Sequence, residues 1–493
     1  MNDAPARIQL ALISHTNVGK TTLARTLVGM DVGEVRDAAH VTTQSQSHTV
    51  LSTPGGDALL LWDTPGFGDS VRLMKRLALS GNPIGWFLRE VVDRYRDRSF
   101  WLSQQAVRTA RDSADVVLYL VNSAEDPRDT GYLPPEMAIL AWLDRPVVVL
   151  LNQTGPPRPF AEEQAEQARW TSCLAAYPIV KRVLALDAFA RCWVHERVFY
   201  ETVGELVPAP RKEAYGRLFT VWEQENQARL RRSAVLIARQ IVDAAGDREA
   251  IETGHGAVVG NVLKMMGLGK RRDQRRQDKA MVALTLRANT RIAATTAGLL
   301  ELYRLDPGAA SKIHERVQRG FVVRAPVDAR QAGLVGAVVS SAVSGLAADL
   351  MSGGLTLGAG ALVGGIVGAI TFAGGAWAFN QTSDRTEPTV RFSDAFLAAM
   401  VVDGLLRYLA VAHFGRGRGG FVEGEAPAFW QREVEGAITL HGDPLDQTLR
   451  LARSPSSAEV AGEALAALLM AIASSVLANL YPAAGLAQGI DQT

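Results

Sequence analysis

The stretch Ile8-Gln9-Leu10-Ala11-Leu12-Ile13-Ser14-His15-Thr16-Asn17-Val18-Gly19-Lys20-Thr21-Thr22 decides the fold. Its apolar run, Ile8 to Ile13, reads as a buried strand that passes through a polar loop into a helix. The loop fits the phosphate-binding pattern G-x-x-x-x-G-K-[ST], with Ser14 where the first Gly is expected. The residue types follow from the chemistry. Backbone N–H groups from Asn17 to Thr22 would surround phosphates at a helix N-terminus. Gly19 lets the chain turn tightly, Lys20 neutralises β/γ oxygens, and the Thr21 hydroxyl ligates Mg²⁺.

Working outward, apolar runs at Ala58–Trp62, Val116–Asn122, Pro146–Asn152 and Val183–Leu186 read as further strands, with helical patterns between them. Strands alternating with helices predict an α/β domain, a mostly parallel sheet with helices on both faces, over residues 1–208. The chain has 493 residues, room for about three domains. Hydrophobic residues make up 47%, enough for a buried core, and the net charge of +1 gives no global field favouring nucleic acid or acidic lipid. Two cysteines, Cys173 and Cys192, give no disulfide framework and no CxxC metal site, and they suit a reducing cytosol. The start of the chain has no signal-peptide pattern, so a cytoplasmic location is expected.

The strand Leu59-Leu60-Leu61-Trp62 ends in Asp63-Thr64-Pro65-Gly66. With the phosphate loop about forty residues upstream, this resembles a P-loop GTPase of the translation-factor class, in its Era, TrmE and dynamin-like branch. The resemblance implies GTP and Mg²⁺ as ligands, Asp63 holding the metal through water, and the Gly66 amide sensing the γ-phosphate. His40-Val41-Thr42-Thr43-Gln44 is similar to the switch I segment of that branch, with Thr43 preferred over Thr42 to complete the metal's coordination.

Ras-like enzymes orient the attacking water with a Gln after D-x-x-G. Phe67 stands there, as in the subgroup that hydrolyses GTP without that Gln. Asn17 has the spacing at which potassium-stimulated relatives help to hold K⁺, usually when two nucleotide domains meet face to face. The resemblance therefore implies a slow, K⁺-assisted hydrolysis activated by homodimerisation, with Lys20, Asn17 and Thr43 as catalytic residues. The guanine-reading motif N/T-K-x-D is degraded to Asn152-Gln153-Thr154-Gly155, so only Asn152 matches. Asp187, after the last strand, has two open readings: the missing carboxylate for the base, or a helix N-cap.

Three further segments, Gly81–Leu88 with Ser99-Phe100-Trp101, Leu151–Pro157 and Asp187–Trp193, are similar to a bacterial GTPase family. Its members join this nucleotide domain to a C-terminal domain of unknown function. The rest of the chain divides into a helical region with a basic run over 209–331, a glycine-rich apolar hairpin over 332–380 and a helical region over 381–493. The hairpin repeats Gly at 360, 364 and 368, spacing that lets helices approach closely. Two readings stand for it: a segment that inserts into or docks on a membrane lipid or membrane protein, and a pair packed inside a soluble domain. The basic run Lys270–Lys279 could meet lipid phosphates or RNA, but Asp273 and Asp278 interrupt it and favour a solvated helix face. No KH- or RRM-like module follows the nucleotide domain, so nucleic acid is not an expected partner.

Overall fold

The computed structural model describes residues 5–15, 18–28, 46–67, 69–78, 98–154, 158–186, 192–251, 269–305, 379–382, 389–413 and 428–485. They belong to two compact units. The first comprises residues 1–227, 412–424 and 480–493, and the second 228–411 and 425–479.

The first unit is built on a six-stranded sheet: β1 (Arg7–Ser14), β2 (Gln46–Ser52), β3 (Ala58–Asp63), β4 (Val116–Asn122), β5 (Val147–Asn152) and β6 (Val180–Ala185). The spatial order is β2-β3-β1-β4-β5-β6. All neighbours are parallel except β2, which pairs antiparallel with β3 at the edge. The run VVVLLN of β5 is buried at every position, the mark of a parallel strand covered on both faces. The order reverses at β1, with β3 on one side and β4 on the other. The carboxyl ends beside such a reversal are where open α/β sheets place ligands. The mostly parallel α/β reading of the sequence is what the structure shows. Strand β2 is an addition, since its sequence QSHTVLS has no apolar run.

Helices α1 (Lys20–Val28), α2 (Ser70–Ala78), α3 (Arg98–Ser113), α4 (Leu133–Leu143), α5 (Phe160–Leu174) and α6 (Trp193–Leu206) flank the sheet strands in sequence. One apolar core gathers Ile13 and Phe67 with Tyr119, Val121, Met137, Leu140, Val149 and Trp170. The long helix α7 (Lys212–Gly246) begins in this unit. Its Arg217 clasps Asp57 in the turn between β2 and β3, at 2.8 Å from Nε to Oδ2.

The second unit is largely helical, with the rest of α7, α8 (Gly269–Leu302), α9 (Asp394–Ala412), α10 (Ala428–Leu440), α11 (Gly442–Leu451) and α12 (Ala458–Leu480). A small antiparallel sheet joins them, β7 (Arg248–Ala250), β8 (Phe379–Thr382) and β9 (Thr389–Phe392), in the order β7-β9-β8. The sequence pattern gives no sign of it, because three- and four-residue strands are too short to carry a period. Gly404 brings the α9 backbone so close to α7 that a Cβ there would lie 2.5 Å from Cγ2 of Ile237. Arg407, one turn further on, is buried and donates to Asp403, Gln240, Thr296 and the carbonyl of Ile292.

Among the described residues two helical stretches, Asp394–Ala412 and Pro455–Leu480, are long and apolar enough to cross a membrane. Most of the first is buried, and less than half of the second. The glycine-rich hairpin at 332–380 lies outside the described residues, apart from Phe379 and Asn380 in β8.

Candidate functional site: a phosphate loop and its carboxylates

Strand β1 delivers the loop, and α1 starts at Lys20 itself, so the loop amides sit at a helix N-terminus. Gly19 has φ +91, a conformation that a Cβ would strain, and a Cβ there would also lie 2.8 Å from the Asn152 amide nitrogen. Ser14 has no positive φ, so this position does not need a glycine. Its buried hydroxyl accepts a hydrogen bond from Lys20 Nζ at 3.3 Å. The departure from the usual pattern thus gives the lysine an extra oxygen partner.

The register of β1 and β3 pairs Leu12 with Asp63 and brings the two motifs together. Thr21 Oγ1 donates to Asp63 Oδ2 at 2.8 Å across 42 residues of sequence. The other carboxylate oxygen of Asp63, Oδ1, is buried without a hydrogen-bond partner among the described residues. The loop after Asp63 is fastened to β1: Thr64 Oγ1 donates to the Leu12 carbonyl at 2.7 Å, and the Phe67 N–H to the Ser14 carbonyl at 2.9 Å. The Phe67 ring is fully buried in the core.

Burial lowers the proton affinity of the Lys20 ammonium, against the opposing charges of Asp63 and Glu136. Burial raises that of the Asp63 carboxyl, against Lys20, the Thr21 hydroxyl, His48 and Arg25. Both groups are pushed toward their neutral forms, as charges are when desolvation outweighs their compensation.

At the end of β5, Asn152 is fully buried, and its Nδ2 donates to the Val18 carbonyl at 2.8 Å. Asn152, expected at the base, thus also fastens the end of β5 to the phosphate loop. Gln153 follows with φ +60. Val18 and Thr22 are buried within the same loop and helix, and Gly66 closes the D-T-P-G turn. Asn17, Thr42, Thr43, Gly155 and Asp187 lie outside the described residues, as does the insertion from 79 to 97. Cys192 is buried, in keeping with a packed thiol.

One group escaped the sequence reading. Glu136, in the first turn of α4, is fully buried and shares a 2.7 Å hydrogen bond with Nδ1 of His15, the loop residue after Ser14. Tyr119 of β4 donates to its other oxygen at 2.6 Å. The His15 ring stacks on Tyr132, with centroids 4.3 Å apart. The signal was available: Glu136 is the lone charge in the apolar helix LPPEMAILAWL.

This strand–loop–helix with its paired Thr21 and Asp63 defines a P-loop GTPase domain, and residues 9–153 match the family described as 50S ribosome-binding GTPase. The chain belongs to the family described as a domain of unknown function (DUF3482), which matches residues 179–464, more than half of its length. No curated protein matches the chain. Solved structures similar to it include Aquifex aeolicus Era bound to GDP·AlF4⁻, at 18% identity over 41% of this chain and 57% of that one, TM-score 0.31. A second is Era in complex with MgGDPNP and a piece of 16S ribosomal RNA, at 18% identity over 41% and 58%, TM-score 0.31. A third is NFeoB from S. thermophilus bound to mGMPPNP, at 15% identity over 42% and 74%, TM-score 0.21. The chain thus spans less than two thirds of the length of the Era chains it matches.

Proposed function

We propose that the chain is a GTP-hydrolysing switch whose nucleotide state is read out by its C-terminal domain. The observation that carries this reading is the pairing of Thr21 with Asp63 beside buried Lys20, with Asp63 Oδ1 unpartnered among the described residues. A hydroxyl and a carboxylate are hard oxygen donors, the kind Mg²⁺ takes. The residues present therefore fit the metal: Thr21 and Asp63 would hold it, with Thr43 joining when GTP is bound. The metal would supply positive charge to the β/γ-phosphates. Lys20 and the amides from Asn17 to Thr22 would bind the phosphates, and Gly66 would sense the γ-phosphate. Bound phosphate and metal would also supply the charge compensation that Lys20 and Asp63 lack. Guanine would be read by Asn152 and Asp187, with the Asn152 amide also holding the phosphate loop.

Phe67 offers no polar group to orient water, which favours a slow reaction assisted by K⁺ at Asn17 and by pairing of two nucleotide domains. The buried Phe67 equally supports a second reading, a nucleotide-sensing scaffold that binds and barely turns over. The segment 332–380 and the apolar helix α12 motivate a membrane-docked location on the cytoplasmic side.

Calorimetry of the full chain with GTP, GDP and ATP, with and without Mg²⁺, tests the site and the base together. Micromolar GTP binding lost in Lys20→Ala supports the reading; equal binding of ATP, or binding indifferent to Lys20→Ala, refutes it. Turnover in KCl against NaCl over a range of protein concentrations separates the K⁺-assisted switch from the scaffold. Flotation with liposomes tests membrane docking.

A further inference from the structure

The Glu136 carboxylate needs an explanation beyond packing. It is fully buried, it is the only charge on α4, and it lies beneath a loop suited to bind polyanions. A carboxylate in the first turn of a helix is favoured by the helix dipole, but one so close to phosphate oxygens would repel them. Among the described residues, the groups facing it are few. His15 and Tyr119 hydrogen-bond its two oxygens. Lys20 interacts with it through charge, and Lys20 is shared with Asp63. Tyr132 stacks on His15 and donates to Glu125 in the preceding turn. On the helices packed against α4, Arg72 lies over the Phe100 ring and Arg111 over the Trp142 ring. Without nucleotide, Lys20 is thus balanced by two carboxylates. When phosphates engage Lys20, the charge on Glu136 becomes a net cost.

We propose that Glu136 is a charge-balancing and positioning residue of the nucleotide site: it holds His15 in the phosphate loop, and the His15–Glu136 pair takes up a proton when the phosphates of a nucleotide bind. The proton comes from solvent and stays on the pair while the nucleotide is bound. Burial favours the protonated carboxyl, while the bonds from His15 and Tyr119 and the charges of His15 and Lys20 oppose it. Binding is then linked to pH by reciprocity, and affinity falls as pH rises, by up to about tenfold per pH unit for one proton. The inference rests on the reading of this loop as a nucleotide site.

The test is titration of GDP with Mg²⁺ into the full chain, in two buffers of different ionisation enthalpy, across pH 6 to 9. The expected result for the unmodified chain is net proton uptake on binding. Glu136→Gln keeps an acceptor for His15 but carries no charge. It is expected to abolish the uptake, to flatten the pH dependence and to bind GDP more tightly at the alkaline end. Tyr119→Phe removes a donor that stabilises the carboxylate, so its affinity should hold to a higher pH before falling. A merely structural Glu136 would give weaker binding in Glu136→Gln with the pH dependence unchanged, and that result overturns the proposal. So does GDP binding without proton uptake in the unmodified chain, which leaves the nucleotide site standing. No GDP binding at any pH refutes the nucleotide site as well.

Discussion

The side-chain amide of Asn152 donates to the main-chain carbonyl of Val18 at 2.8 Å, joining residues 134 positions apart in sequence. Both are buried, so the bond connects the end of β5 to the phosphate loop where water does not compete. Asn152→Ala leaves the Val18 carbonyl without this donor, a loss of about 1–3 kcal/mol. Asn152→Asp sets a carboxylate against a carbonyl and costs more. Urea unfolding of the two variants should rank them in that order, with nucleotide affinity falling in parallel.

Gly19 meets the same asparagine from the other side. Its φ of +91 and the 2.8 Å approach of Asn152 Nδ2 to a Cβ act together against any side chain there. Gly19→Ala should cost about 1–3 kcal/mol in backbone strain alone, before the contact is counted. Combining Gly19→Ala with Asn152→Ala should recover part of that loss, because the crowded atom is gone. A strictly additive double variant in thermal unfolding would show that strain, not contact, sets the cost.

The Ser14 hydroxyl accepts from Lys20 Nζ at 3.3 Å. Ser14→Ala removes only that oxygen and should weaken nucleotide binding by about 0.5–1.5 kcal/mol, a factor of about 2–13. Isothermal titration of this variant beside Lys20→Ala checks it, since the lysine variant should lose binding altogether.

How far the sequence revealed this site depends on the kind of signal. Lys20, Thr21 and Asp63 were legible because phosphate chemistry fixes their types and spacing, and their strands carry plain apolar runs. Strand β2 was not legible, since an exposed edge strand reading QSHTVLS need not be apolar. The small sheet β7-β9-β8 escaped because its strands are only three or four residues long, and because β7 pairs with β9 across more than a hundred residues, which no local pattern encodes. Glu136 could have been suspected as a lone charge in an apolar helix, but its partners His15 and Tyr119 come from the phosphate loop and β4, and only folding brings them together. Asn152 was picked out by motif, yet its bond to the Val18 carbonyl depends on the order of β1 and β5 in the sheet. Asn17, Thr43 and Asp187 remain expectations from resemblance.

Asp57, clasped by Arg217, makes part of the stability depend on pH. The Arg217 hydrogen bond holds the Asp57 carboxyl below its usual range, with the Ala6 amide, the charge of Arg217 and the Thr53 hydroxyl adding to it against the effect of burial. A depressed folded value means that the stabilisation is present above the unfolded carboxylate value, about pH 4, and is lost as pH falls through the folded value. Asp57→Asn should therefore lower the melting temperature at neutral pH. The gap from the unmodified chain should narrow below about pH 4. A gap that stays constant from pH 7 down to about pH 3 would assign the effect to shape instead of charge.

In the second unit, Arg407 offers a test of what makes α9 a core helix. It is buried, at 1% exposure, and its guanidinium reaches Asp403 at 2.7 Å, Thr296 at 3.0 Å, Gln240 at 3.1 Å and the Ile292 carbonyl at 3.2 Å. Burial pushes the Asp403 carboxyl up, and Arg407 opposes that by charge and hydrogen bond. Arg407→Met strands a buried carboxylate and should cost about 3–5 kcal/mol at neutral pH, whereas Asp403→Leu with Arg407→Met removes both charges and should recover most of it. The sign with pH follows from the raised value. Without Arg407 the folded protein prefers protonated Asp403, so the single variant should lose stability as pH rises from about 4 toward the folded value. Chemical denaturation at about pH 4.5 and pH 8 decides it: a larger deficit at the higher pH, absent from the double variant, shows that the stranded charge is the cause. An equal deficit at both pH values would place the cost in lost packing of the guanidinium.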